Sequence, residues 1–176
     1  MSETSKMHKS EAPGRLRFAV FTCSTSRYNQ AKLGEKIEDV SGDMIETSLR
    51  NAGNMLVQRD LIPDDSEVIS KSLKRVLASP EIDAVVFTGG TGITPSDVTI
   101  EAVSPSLEKT LPGFGEIFRR LSFDEIGPAA LLSRALAGVA KGKAIFCLPG
   151  SPNAVRLCME KLILPEASHV VKHSRG

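Results

Sequence analysis

The stretch Val85 to Thr99, VVFTGGTGITPSDVT, runs from apolar residues into glycines and then into a proline, a serine and an aspartate. Gly89, Gly90, Thr91 and Gly92 let the backbone turn sharply and come close to a ligand, with N–H groups able to converge on an anion. A helix N-terminus after them would add a positive dipole, so the loop suits a phosphate. The same residues also suit a tight strand-to-helix turn with no ligand. Asp97, five residues past the last glycine, would repel a phosphate unless a divalent cation lay between them, which makes it a candidate Mg²⁺ ligand. On spacing alone it fits the N-cap of VTIEAV as well. Asp64, in LIPDDSEV, is the second carboxylate; it reads either as a cap with Glu67 as its capping-box partner or as a metal ligand beside Asp97. Two further polar segments follow apolar runs. TCSTSRY contains Ser24, and LPGSPNAV contains Ser151 and Asn153, where a helix N-terminus would again favour an anion.

Several chemistries lack their residues. No lysine completes GxxxxGK[ST], Gly92 is followed by Ile-Thr-Pro rather than by GxGxxG spacing, and GxSxG is missing. His8, His169 and His173 lie toward the termini and are read as having no metal-ligand spacing and no catalytic role.

These residues need elements to hold them. Leu16–Thr22, Met55–Ile62 and Asp83–Thr88 are apolar, β-rich runs and read as strands. Asp43–Ala52, closed by Gly53, and Val68–Leu77 carry helical stripes. Strands alternating with helices imply βαβ units and a mostly parallel sheet covered on both faces. The second and third strands are expected to be neighbours, which would put Asp64 and Asp97 on one rim at the carboxyl ends of the strands. In the second half, PGFG reads as a break before a helical FGEIFRRL, Pro128–Leu136 as helical, Val139–Leu148 as a hairpin turning at Lys141-Gly-Lys143, and Asn153–Leu164 as a helix.

With 176 residues, 41% hydrophobic and 24% charged, the chain has the composition of a globular protein, and one domain over 16–176 is expected. A net charge of +1 gives no reason to expect nucleic acid or an anionic membrane as partner, and the pairs Arg119-Arg120 and Lys141/Lys143 read as solvated surface. Cys23, Cys147 and Cys158 have no paired spacing and read as buried free thiols, which suits the cytoplasm. Residues 1–15 have no apolar core, so they read as a disordered tail rather than a signal peptide. No run approaches the ~20 apolar residues of a membrane span.

GGTGITPSDVTIEA, PGFGEIFRRLSFDEIGPAALLSRALAGV and LPGSPNAV together resemble the molybdopterin-binding family of MogA and MoaB type, to which the gephyrin G domain belongs. The resemblance extends from Arg15 to about Leu164, and FGEIFRRLSFDEIG resembles the MoaB branch in particular. Ser24-Thr-Ser-Arg-Tyr28 and Asp39-Val-Ser-Gly42 also fit the family's pattern. The resemblance implies a three-layer α/β/α sandwich whose mostly parallel sheet has one antiparallel strand. It implies a homotrimer or homohexamer that meets other enzymes of molybdenum cofactor synthesis. The implied activity is adenylylation of molybdopterin from ATP and Mg²⁺, with release of pyrophosphate; a non-catalytic molybdopterin-binding role is the alternative. Carried over by position, Asp64 and Asp97 match essential aspartates and would hold Mg²⁺. Gly89, Gly90, Thr91 and Gly92 match the nucleotide-phosphate loop, Ser24 the serine after the first strand, and Ser151 and Asn153 the last loop. The chain departs from many relatives at Ser96, Ile100 and Thr25, where they carry Arg, Pro and Asp.

Overall fold

The computed structural model describes residues 14–176, so the expected tail lies almost wholly outside the described residues, as does His8. Strand β1 (Arg17–Cys23) leads through helices α1 (Thr25–Lys32) and α2 (Val40–Asn51) to β2 (Met55–Ile62). Helix α3 (Ser66–Ala78), β3 (Ala84–Thr88) and the short α4 (Thr99–Val103) follow. The second half contains β4 (Lys109–Thr110), α5 (Pro112–Ile126), β5 (Leu136–Ala140), β6 (Lys143–Leu148), α6 (Pro152–Cys158) and α7 (Leu164–Arg175).

The strands form one sheet in the order β2-β1-β3-β6-β5-β4. β2, β1, β3 and β6 run parallel, and β5 is antiparallel to both β6 and β4. Alternation along β1 sends Phe18 and Val20 to one face, where they pack with Ile45 and Leu49 of α2, Phe118 of α5 and Met159. It sends Ala19 and Phe21 to the other face, against Ile69 and Leu73 of α3. The result is the expected three-layer sandwich, and β1 and β3 are buried on both faces because helices cover both.

The expected pairing of β2 with β3 is overturned: β1 lies between them. α2 crosses one face and α3 the other, so the chain steps outward to β2 and then back across β1 to β3. The order therefore reverses between β1 and β3, and a crevice opens there at the carboxyl ends of the strands. All four parallel strands still end on one rim.

Other local expectations also shift. TCSTSRY spans the end of β1, the N-cap Ser24 and the start of α1, which buries none of its residues and so has no apolar stripe to read. PGFG opens α5 instead of breaking it, because Pro112 sits in the first turn, where its missing N–H costs nothing. Gly127–Leu132 is a 3₁₀ segment and β5 follows, so Pro128–Leu136 is not an α-helix. The helix from Pro152 runs on through a π segment (Met159–Ile163) to Arg175, and the widened turns lead into Pro165, which cannot donate a backbone hydrogen bond. The hairpin turns at Lys141-Gly142 as expected. Lys143, however, is buried rather than solvated, its ammonium donating to the carbonyls of Ser79 (2.6 Å) and Ile82. All three cysteines are buried and free. Among the described residues no helix is long and apolar enough to cross a membrane.

Candidate active site at the carboxyl rim

The glycine loop leaves β3 at the crevice. Gly89 N donates to Leu148 O (3.0 Å) and Thr99 Oγ1 donates to Gly89 O (2.9 Å), which pins the loop between the end of β6 and the start of α4. Gly90 has φ +60, a region that disfavours side chains. A Cβ on Gly90 would also stand 2.7 Å from Asp64 Oδ1 and 2.5 Å from Thr99 Oγ1. At Gly92 a Cβ would stand 2.7 Å from Asp97 Oδ2. The two carboxylates therefore flank one loop, although their strands are not neighbours.

Neither aspartate caps a helix. The N-cap of α3 is Asp65, which accepts from Val68 N (2.9 Å). Asp64 instead reaches across to α1, its Oδ2 accepting from Thr25 N (2.8 Å) and Thr25 Oγ1 (3.1 Å), while Asp64 N donates to Thr25 Oγ1 (2.9 Å). Thr25 is thus the residue that fixes Asp64. Asp97 turns back into its own loop: Oδ2 accepts from Thr94 Oγ1 (2.6 Å) and Thr94 N (2.8 Å). The Thr94 hydroxyl, outweighing partial burial, and the backbone N–H groups of Thr94 and Gly92 hold the Asp97 carboxyl below the usual carboxylate range, with help from the charge of Arg134. It is ionised at neutral pH.

The other rim residues gather around this loop to different degrees. Ser24 follows β1 at the N-cap position of α1 and is half-buried; its N–H donates to Ile62 O (2.9 Å) and its hydroxyl lies 3.4 Å from Ser26 Oγ. Thr91 is buried. The last loop lies against the glycine loop, since a Cβ on Gly150 would stand 3.1 Å from Gly89 Cα. Thr88 Oγ1 donates to Pro149 O (3.2 Å) and Ser41 Oγ to Gly150 O (2.6 Å). Ser151 caps α6 by accepting from Ala154 N (3.3 Å). Asn153 points toward α5, donating to Glu125 Oε2 (2.5 Å) and accepting from Arg156 (2.9 Å). Asp39 caps α2 by accepting from Gly42 N (3.0 Å) and ties the helix to the end of β1 and to β2 by accepting from Thr22 Oγ1 (2.8 Å) and Arg59 (2.9 Å).

Sequence reasoning missed Thr25, Thr94, Thr99 and Arg134. Thr94 had a signal, because TPSD is a turn with proline at its second position, and Asp97 N closes it on Thr94 O (2.9 Å). Arg134 had none. It arrives just before β5, donates through Nε to Thr91 O (2.9 Å) and grips Glu101 with NH2 (2.7 and 3.0 Å), tying the glycine loop to α4. No thiol serves as nucleophile here, because burial pushes the Cys23 thiol up to about 12. The rim thus offers amides, hydroxyls and two carboxylates, a set suited to positioning phosphates.

A probable molybdopterin-binding domain model matches residues 19–169. Molybdenum cofactor biosynthesis protein B of Bacillus subtilis (strain 168) is 44% identical over 169 residues, covering 96% of this chain and 95% of that protein. Molybdopterin adenylyltransferase of Pyrococcus furiosus is 41% identical over 172 residues, covering 96% of each. Among solved structures, the tungsten cofactor synthesizing protein MoaB from Pyrococcus furiosus superimposes with a TM-score of 0.81 at 39% identity, covering 94% of this chain and 100% of that one. With the glycine loop, the two rim aspartates and a match of this extent, the chain belongs to the molybdopterin-binding domain family of molybdenum cofactor biosynthesis.

Proposed function

We propose that the protein is a molybdopterin adenylyltransferase of molybdenum or tungsten cofactor synthesis, working in the cytoplasm. A terminal phosphate oxygen of molybdopterin bonds to the α-phosphorus of ATP while the bond from that phosphorus to the bridging oxygen of pyrophosphate breaks. The observation that carries this reading is the pair of carboxylates set against the glycine loop, Asp64 at Gly90 and Asp97 at Gly92. Full-length relatives named for the activity support it.

Two polyanions must be brought in line, so positioning and charge screening are the enzyme's whole task. The amides of Gly90 and Thr91 would take the nucleotide phosphates, since the Gly89 N–H is held by Leu148 O and the Gly92 N–H by Asp97, with Ser24, Ser151 and Asn153 completing the nucleotide and pterin contacts. The donor set fits Mg²⁺: the carboxylate oxygens are hard, and this ion takes one or two carboxylates and fills its shell with water and substrate phosphate. Asp64 and Asp97 would hold it, and when bound it would offset phosphate charge. Thr25 and Thr94 keep the two carboxylates aimed.

A non-catalytic molybdopterin-binding role is the second reading. Ser96 favours it, because this position brings no cation to the loop and its hydroxyl lies 3.0 Å from Thr94 Oγ1, while Arg134 is committed to Glu101 and Thr91. Incubation with molybdopterin, ATP and Mg²⁺ separates the two. Adenylylated pterin with stoichiometric pyrophosphate is expected; pterin bound without turnover would establish the second reading.

A further inference from the structure

Away from the carboxyl rim, α7 closes a cavity of about 480 Å³ against the hairpin edge, lined in part by Glu108, Lys109 and Thr110 and by two histidines, His169 and His173. The sequence reading gave these histidines no metal spacing. On α7, residues four apart stand one above the other on one face. Their Nε2 atoms are 2.8 Å apart and their rings meet edge to face at 4.5 Å. At that separation one Nε2 carries a proton and the other presents its lone pair. Glu166 Oε2 lies 3.3 Å from His169 Nδ1. A carboxylate at Nδ1 favours the Nδ1–H tautomer and turns the Nε2 lone pair outward, the arrangement that orients metal-bound imidazoles.

We propose that His169 and His173 form a bidentate site for a divalent transition-metal cation of the imidazole-binding class, such as Zn²⁺ or Ni²⁺, with Glu166 as positioning residue. Nε2 atoms each about 2.0–2.1 Å from such a cation lie roughly 2.9 Å apart at a right-angle edge and about 3.3 Å apart at a tetrahedral edge. The observed separation is a small ring rotation from either. The cation takes the place of the shared proton as His173 passes to its Nδ1–H tautomer. Among the described residues no third His, Cys, Asp or Glu joins the pair. The hard oxygen donors of Asp64 and Asp97 are chemically distinct from this site.

The test is Zn²⁺ titration of the full-length, tag-free protein at pH 7.5 by calorimetry, with thermal unfolding followed in parallel. One Zn²⁺ per chain in the micromolar range and a Zn²⁺-dependent rise in Tm are expected. His169→Gln and His173→Gln each weaken binding at least tenfold and abolish the rise. Glu166→Gln weakens it about tenfold. Asp64→Asn with Asp97→Asn leaves Zn²⁺ affinity unchanged, which separates this site from the adenylylation reading. No binding up to millimolar Zn²⁺ would overturn the proposal. So would equal affinity in the folded histidine variants, or loss of binding in His8→Gln with His169 and His173 intact.

Discussion

Asp97 Oδ2 accepts from the Thr94 hydroxyl and amide and sits against Gly92, so removing the charge leaves the shape and part of the hydrogen bonding in place. Asp97→Asn is therefore expected to fold normally and to lower adenylylation about a hundredfold or more, measured as pyrophosphate release. Asp64→Asn should behave alike. A fall in Tm with activity intact would make either residue a structural part of the rim. Gly90→Ala is the complementary test. It places a side chain at positive φ and within contact of Asp64 Oδ1, so a stability loss of about 1–3 kcal/mol and a larger loss of turnover than of fold are expected.

At the scale of elements, the far end of the sheet is closed by one buried carboxylate. Asp83, 4% exposed, accepts from Arg17 at the start of β1 (2.9–3.1 Å) and from Arg175 at the end of α7 (2.6 Å), clamping the last helix to the sheet. Burial alone would raise its carboxyl; the two guanidinium groups outweigh burial and hold it well below the usual carboxylate range. A lowered folded-state value gives stability that is present above the unfolded value of about 3.9 and lost as pH falls through the folded one. The wild-type urea midpoint should therefore fall as pH drops below about 4. Asp83→Ala should cost about 3 kcal/mol at pH 7, and its midpoint should depend less on pH in the acid range. The same scale holds Arg134, whose bridge from Thr91 to Glu101 couples β5 to the glycine loop. Arg134→Gln is expected to raise KM for ATP more than it lowers Tm.

For the whole molecule, association is the open expectation. α5 turns Phe114 and Phe118 into the core but leaves Ile117, Phe123 and Ile126 about half exposed, beside Leu131 at 83% and Leu132 at 57%. Phe123 and Leu131 line one surface concavity with Pro128 and Ala130, and apolar surface left exposed in this way is a candidate interaction face. α6 buries Val155, Leu157 and Cys158 in the core of the chain. We expect a homotrimer or hexamer built through the α5 face, with an unfolding midpoint that rises with protein concentration. Phe123→Glu with Leu131→Glu should reduce the light-scattering mass to the 18.9 kDa monomer. A wild-type mass already at that value across micromolar concentrations would defeat the expectation.

The sequence by itself determined the βαβ alternation, the run Met55–Ile62 to the residue, the turn at Lys141-Gly142 and the loop that carries Gly89 to Asp97. Each of these is written in local periodicity or in glycine and proline positions. It also singled out Asp97, by its place just past the glycine loop, whereas Asp64 was linked to that loop through an expected β2–β3 pairing that the fold lacks and through the family resemblance. Only the tertiary structure decided that β1 separates β2 from β3, since two buried strands look alike in sequence and their order depends on which face each crossover takes. It alone chose between capping and converging for Asp64 and Asp97, because spacing is the same in both and the deciding partners are Thr25, 39 residues away, and a turn that closes on itself. It alone brought Arg134 to Thr91, 43 residues off, and set His169 over His173 on a helix that outran the expected end at Leu164. Contacts across such separations depend on how layers pack, and local sequence does not encode that.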